Sequence, residues 1–202
     1  MIKIAVLVSG GGTNLQALID AQNKGVIKSG VISLVISNKR DAYALERADK
    51  AGIKNLVITK KECGSQDAFE DAIINALNEN EIELIVLAGF MCILTKRFTD
   101  EYKDRIINVH PSLIPSFCGK GFYGLKVHEE AIKYGVKVTG ATVHYVNEVA
   151  DGGQIILQKA VKIRKNDTPE ILQKRVMREA EWIILPKATE LVCKKLTKQK
   201  RG

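Results

Sequence analysis

Short apolar runs alternate with amphipathic stretches through the first half of the chain. Ile4 to Val8 reads as a buried strand, followed by a turn of glycines and a helix from about Asn14 to Gln22. Val31 to Ile36 predicts a second strand, then a helix through Ala42 to Ala51 that ends at Gly52. Asn55 to Ile58 reads as a short third strand. Phe69, Ile73, Ile74 and Leu77 recur at helical spacing, and Leu84 to Ala88 gives a fourth strand. Strands apolar on both faces and separated by helices predict parallel β-α-β units. The fold class is therefore α/β, with a Rossmann-like, doubly wound, mostly parallel sheet.

After Ile106 the texture changes. Asn108 to Gly124 holds two prolines and three glycines, with little periodicity, and reads as a long loop. Lys126 to Tyr134 predicts a helix. Val136 to Asn147 and Gln154 to Ile163 read as a strand pair around a loop at Glu148 to Gly153, which introduces an antiparallel strand in the C-terminal half. Thr168 as N-cap and Pro169 in the first position start the last helix, which runs past Trp182 to Pro186, where a proline should kink or restart it. Without a linker or repeat, residues 1–202 read as one domain: a phosphate-binding half at 1–104, a catalytic half at 105–190 and a basic tail at 191–202.

Charge changes this picture little. The net charge is +8, but five of the 31 lysines and arginines lie between Lys194 and Arg201. The body, with 26 basic against 23 acidic residues, is close to balanced. A solvated basic tail, and aromatics not interleaved with basic residues, argue against nucleic acid as a partner. No apolar run is long enough to span a bilayer, and the N-terminus lacks the parts of a signal peptide, so a cytoplasmic location is expected. Cys63, Cys92, Cys118 and Cys193 are scattered without metal-ligand spacing, and His110, His128 and His144 lie far apart in sequence. No metal is expected. The composition leaves monomer and homodimer equally open.

Ser9-Gly10-Gly11-Gly12-Thr13-Asn14 joins the first strand to its helix. Glycines allow close backbone approach, and a helix N-terminus offers free N–H groups to an anion. The turn suits a phosphate, or it is a tight connection with Thr13 or Asn14 capping the helix. Leu15 three positions beyond Gly12 breaks the dinucleotide spacing, and no Gly-Lys-Ser/Thr follows. A phosphate monoester fits better than a dinucleotide or a triphosphate.

Asn108 and His110 alternate onto one side of the chain at the end of an apolar segment, where open α/β sheets carry their sites. Asn can donate to a developing oxyanion, and His moves protons near neutral pH. Asp151, followed by Gly152-Gly153, could approach them and would orient His110 and favour its charged form. By spacing alone, a histidine after a strand is more often a structural hydrogen bonder and Asp-Gly-Gly more often an ordinary turn. His144 sits mid-strand as a core or supporting residue, and His128 is expected on a helix surface.

Together these pieces resemble the phosphoribosylglycinamide formyltransferase family of folate-dependent enzymes. The matching blocks are Ser9 to Gln16, Ile36 to Lys39, Val86 to Met91, Asn108 to Pro115, Thr139 to Val143 and Asp151 to Leu157. The resemblance implies the formyltransferase type of Rossmann-like sheet, 10-formyltetrahydrofolate as co-substrate and 5-phosphoribosylglycinamide as acceptor. It implies catalysis by Asn108, His110 and Asp151, with His144 behind them. Gly11, Gly12, Thr13 and Asn14 would hold the phosphate, and Glu181 the ribose hydroxyls. Phe90, Met91, Cys92, Ile93 and Leu94 would border the folate cleft, covered by Glu148, Val149 and Ala150. Many members carry arginines where this chain has Cys92 and Gln66.

The expected chemistry is direct transfer. The acceptor amine attacks the formyl carbon, Asn108 and protonated His110 stabilise the oxyanion, and Asp151 helps move the proton. A formyltetrahydrofolate hydrolase or a transfer-RNA formyltransferase would be expected to carry a further domain. A nicotinamide-dependent oxidoreductase should show the dinucleotide glycine spacing and an acidic residue where the second strand ends in Ser37-Asn38.

Overall fold

A computed structural model describes residues 1–200. Seven strands form one sheet: β1 (Ile2–Val8), β2 (Gly30–Ser37), β3 (Asn55–Val57), β4 (Leu84–Leu87), β5 (Ile106–His110), β6 (Val138–Tyr145) and β7 (Ile155–Lys162), in the spatial order β3-β2-β1-β4-β5-β6-β7. β1 to β5 pair in parallel, and β6 runs antiparallel to both β5 and β7. This is the doubly wound α/β sheet expected, with β6 as its antiparallel strand.

The alternation within β1 shows why the strand has no polar face. Ile4, Val6 and Val8 join one buried cluster and Ala5 and Leu7 the other, one on each side of the sheet. Helices α1 (Thr13–Asn23) and α2 (Tyr43–Lys50) cover the first side together with α7 (Pro169–Val176) and α8 (Trp182–Gln199). Helix α4 (Gln66–Glu79) covers the other through Phe69, Ile73 and Leu77, assisted by the short helix α5 (Lys96–Glu101) through Phe98. A one-turn helix α3 (Lys60–Cys63) precedes α4, and α6 (Leu125–Tyr134) precedes β6.

Four expectations change. Asn108 to His110 belong to β5 and not to the following loop, because Asn108 pairs with both β4 and β6 and Val109 and His110 pair with β6. Pro186 sits inside α8, and the irregularity falls one turn earlier, where Met177–Glu181 form a π-helical turn. Residues 191–199 continue α8, with Val192 and Cys193 buried and Leu196 packed on the core. The start of the basic tail is thus held in place, while residues 201–202 lie outside the described residues. Finally, His128 is 1% exposed and not on a helix surface. It shares the inner face of α6 with Ala131 and Ile132, three and four residues on.

The chain leaves β1 toward β2 on one side and later places β4 on the other. The C-terminal ends of β1 and β4 therefore flank a topological switch point, where open α/β sheets form a crevice. Ser9 closes its base: its Oγ accepts the Met91 N–H at 2.8 Å, joining the glycine turn to the segment after β4.

Candidate active site

Every element of the site hangs from this edge of the sheet. After β1, Gly12 adopts φ 68 as the residue preceding α1. A Cβ there would lie 2.7 Å from both Cα and Cβ of Ala44, so only glycine fits. Gly10 and Gly11 have open space around them. The Gly10 carbonyl accepts from the Ala44 N–H at 3.0 Å and the Gly11 carbonyl from Arg47 Nε at 2.8 Å. Neither Thr13 nor Asn14 caps the helix. No side chain caps α1, so its first-turn N–H groups are left without a capping partner.

The Asn14 side chain does something else. Its Nδ2 donates to Glu181 Oε2 at 2.7 Å in the interior. Glu181 is aimed there by the π-helical turn, in which the Trp182 N–H reaches back five residues to the Met177 carbonyl. Each residue added to a helix turns the following side chains by about 100°, so the wide turn sets the direction of Glu181. Burial pushes its carboxyl up to about 7, with the Asn14 amide acting in the opposite sense.

The Asp151 carboxylate lies between two histidines. Its Oδ2 is 3.4 Å from Nδ1 of His110, and its Oδ1 is 3.5 Å from Nε2 of His144. Asn108 joins the cluster through His144, across 3.2 Å. The four residues are thus brought together from β5, β6 and the loop after β6. Gly153 lets that loop close, since a Cβ there would sit 1.8 Å from the Tyr145 carbonyl oxygen. Asp151 itself has φ 56, a left-handed conformation that Asp tolerates better than most residues.

The loop 111–124 completes the frame. His110 Nε2 donates to the Phe117 carbonyl at 2.9 Å, and the Gly119 N–H donates to Asp151 Oδ2 at 2.8 Å. Phe117 also has positive φ, 50, which turns that carbonyl inward. The loop is tied to the sheet through Thr142, whose hydroxyl donates to the Ser112 carbonyl at 2.7 Å and accepts the Ile114 N–H at 3.1 Å. With Nε2 engaged by Phe117, Nδ1 is the nitrogen of His110 that faces Asp151.

Burial lowers His110 below its ordinary value, and the Asp151 carboxylate only partly offsets this. Asp151 favours the charged imidazole, as the sequence suggested, but desolvation outweighs it. For Asp151, burial would raise the carboxyl, yet His144, His110 and the Gly119 amide together hold it below the usual range.

The segment after β4 is less uniform than the sequence suggested. Met91 and Ile93 are exposed, Leu94 is buried in the core, and Phe90 and Cys92 are half-buried. Cys92 Sγ accepts from Asn38 Nδ2 at 2.9 Å, and Gln66 Nε2 donates to the Ile93 carbonyl at 3.2 Å. A cavity of about 360 Å³ opens beside the Asp151 loop, with Thr99, Tyr145, Val146, Asn147 and Glu148 in its wall. Of the proposed folate contacts only Glu148 reaches it. A separate cavity of about 430 Å³ lies between α1 and α8 and touches the glycine turn only at Thr13. The cluster of Asn108, His110 and Asp151 lies at the sheet edge and not there.

A model of the formyl transferase family matches residues 2–189. The chain belongs to that family. This formyltransferase is 46% identical over 186 residues to phosphoribosylglycinamide formyltransferase of Haemophilus influenzae, covering 92% of this chain and 84% of that one. It is 44% identical over 191 residues to the trifunctional purine biosynthetic protein adenosine-3 of Gallus gallus, covering 95% of this chain but only 18% of that protein. Against such trifunctional relatives the formyltransferase spans less than a fifth of their length. A crystal structure of glycinamide ribonucleotide transformylase 1 from Symbiobacterium toebii has a TM-score of 0.90 and 41% identity, covering 96% of this chain and 89% of that one.

Proposed function

We propose that this formyltransferase moves the formyl group of 10-formyltetrahydrofolate to the amino group of 5-phosphoribosylglycinamide, a step of de novo purine biosynthesis. One observation carries the acceptor: the uncapped glycine turn and Glu181 are joined through Asn14 at the sheet edge that also bears Asn108 and His110. A phosphate on the turn and ribose hydroxyls on Glu181 would put a ribonucleotide's amine toward the catalytic cluster. The names of the Haemophilus and Symbiobacterium relatives support the same reading. The first half of the chain then holds the phosphate and Glu181 of the second half the ribose, while Phe90 to Leu94 of the first half and Glu148 to Ala150 of the second hold the folate.

In the proposed mechanism the amine attacks the formyl carbon and the carbonyl electrons move onto oxygen. Asn108 Nδ2–H donates to that oxyanion. His110 begins as the neutral ring favoured by its burial, with Nε2–H on Phe117 and an unprotonated Nδ1 beside Asp151. Nδ1 takes the proton shed by the attacking nitrogen. The imidazolium forms beside Asp151, stabilises the oxyanion, and returns the proton to the folate nitrogen as the C–N bond breaks.

The test is to follow tetrahydrofolate formation by absorbance from 10-formyltetrahydrofolate, with and without the ribonucleotide. Product that requires the ribonucleotide supports the assignment. Product without it, or none from folded protein, overturns it. Asp151→Asn should lower kcat on the order of 10²- to 10³-fold while ribonucleotide affinity stays near that of the parent; full turnover would overturn the mechanism.

A further inference from the structure

We propose that His144 is a positioning residue that decides which end of the Asn108 side-chain amide faces the reacting carbonyl. The inference rests on the mechanism above and assigns its oxyanion donor a direction. Antiparallel pairing of β5 and β6 sets Asn108 directly opposite His144, which is 2% exposed. Nδ1 of His144 lies 2.7 Å from the Tyr145 carbonyl oxygen, which can only accept, so that nitrogen carries a proton. In the neutral ring Nε2 then holds a lone pair. The Asn108 amide, 3.2 Å away, must meet that lone pair with its NH₂ and not with its oxygen. One Nδ2–H is thereby committed to His144, and the other keeps a fixed direction for a developing oxyanion.

The two ends of an amide are nearly isosteric, so packing alone would not separate them. Rotated by half a turn, Asn108 would present a carbonyl oxygen to the oxyanion and repel it. The hydrogen-bond acceptor across the ladder is what distinguishes the two orientations. The same Nε2 lies 3.5 Å from Asp151 Oδ1. Asp151 and His110 are the titratable groups facing His144, while its cross-strand neighbours Asn108 and Ile155 carry no charge.

The experiment is a double-mutant cycle on the full chain. His144→Leu removes the acceptor, and His144→Gln retains one in its side-chain carbonyl. Asn108→Ala provides the background without the amide. His144→Leu should lower kcat on the order of 10- to 100-fold, with the KM of both substrates nearly unchanged. His144→Gln should recover most of the loss, and His144→Leu should cost little further in the Asn108→Ala background. Equal losses in both backgrounds, or no recovery with Gln, would overturn the proposal. Thermal unfolding and ribonucleotide binding of each variant separate a folding defect from a catalytic one. If Asn108→Ala itself leaves turnover unchanged, the oxyanion role of Asn108 fails first. If it cripples turnover and the effects simply add, only the role of His144 fails.

Discussion

Nδ2 of Asn14 donates to Oε2 of Glu181 across 2.7 Å, joining residues 167 positions apart in the chain. The contact ties the first turn of α1 to the π-helical turn before α8, so phosphate and ribose recognition would move as one unit. Glu181 titrates near 7 because it is buried, and only its ionised form accepts from two hydroxyls at once. Ribonucleotide affinity should therefore weaken as pH falls through about 7. Glu181→Gln should raise the ribonucleotide Kd on the order of 10-fold, the worth of about one charge-assisted hydrogen bond, and lose this pH dependence. Phosphate titration near 6 affects parent and variant alike, so calorimetric titration of both across pH 5.5–8.5 isolates the carboxyl.

The glycine turn separates structural from functional glycine within three residues. Gly12→Ala would drive a Cβ into Ala44 from a left-handed backbone and should destabilise the fold by about 2 kcal/mol or more. Gly11→Ala has open space and no positive φ, so its unfolding midpoint should stay within a few degrees of the parent. If the turn holds a phosphate, the Gly11 variant should still lose ribonucleotide affinity, because its methyl group stands where the anion approaches. Denaturant melts beside binding curves make the comparison.

The sheet was legible because its signals are local apolar runs. Grouping Asn108, His110 and Asp151 came instead from the family resemblance, since two-residue alternation and an Asp-Gly-Gly turn also suit a structural histidine and an ordinary turn. The π-helical turn was not, since Met177-Arg-Glu-Ala-Glu holds no helix breaker and an i to i−5 bond leaves no compositional trace. Pro186 drew attention one turn too late. His128 was misplaced because Lys126, Glu129 and Glu130 surround it in sequence. Its spacing to Ala131 and Ile132 was the better guide. Helix α5 is only six residues long, too short for a periodic pattern, and the loop 111–124 takes its shape from distant partners such as Thr142. The reduced basicity of His110 depends on burial, which residue types alone do not reveal.

Glu70 organises the segment that leads toward the proposed folate cleft. It is fully buried, and its Oε1 accepts from the Thr95 N–H at 2.7 Å and from Gln66 Nε2 at 2.8 Å. Gln66 in turn holds the Ile93 carbonyl. Glu70→Leu keeps side-chain volume but strands the Thr95 amide, and should cost about 1–3 kcal/mol in stability. The looser 92–95 segment should raise the folate KM several-fold while the ribonucleotide KM stays near the parent value. An equal rise in both would mean that the segment does not border the folate.

Burial of His128 should make the protein lose stability in acid. It is buried on α6 without a hydrogen-bond partner for either ring nitrogen, and burial lowers it to about 4, with a smaller contribution from the nearby His110. Above pH 6.5 the ring is neutral in both folded and unfolded chains and its titration does not affect stability. As pH falls, the unfolded chain takes up the proton first, so stability drains away between about 6.5 and 4. Across that window the linkage amounts to about 3 kcal/mol at most. His128→Leu fills a similar space without a titrating group, so its urea midpoint should vary less over pH 4–6.5 than that of the parent. Parallel curves for the two proteins would show that His128 is protonated without cost in the folded state, and that the acid sensitivity lies elsewhere.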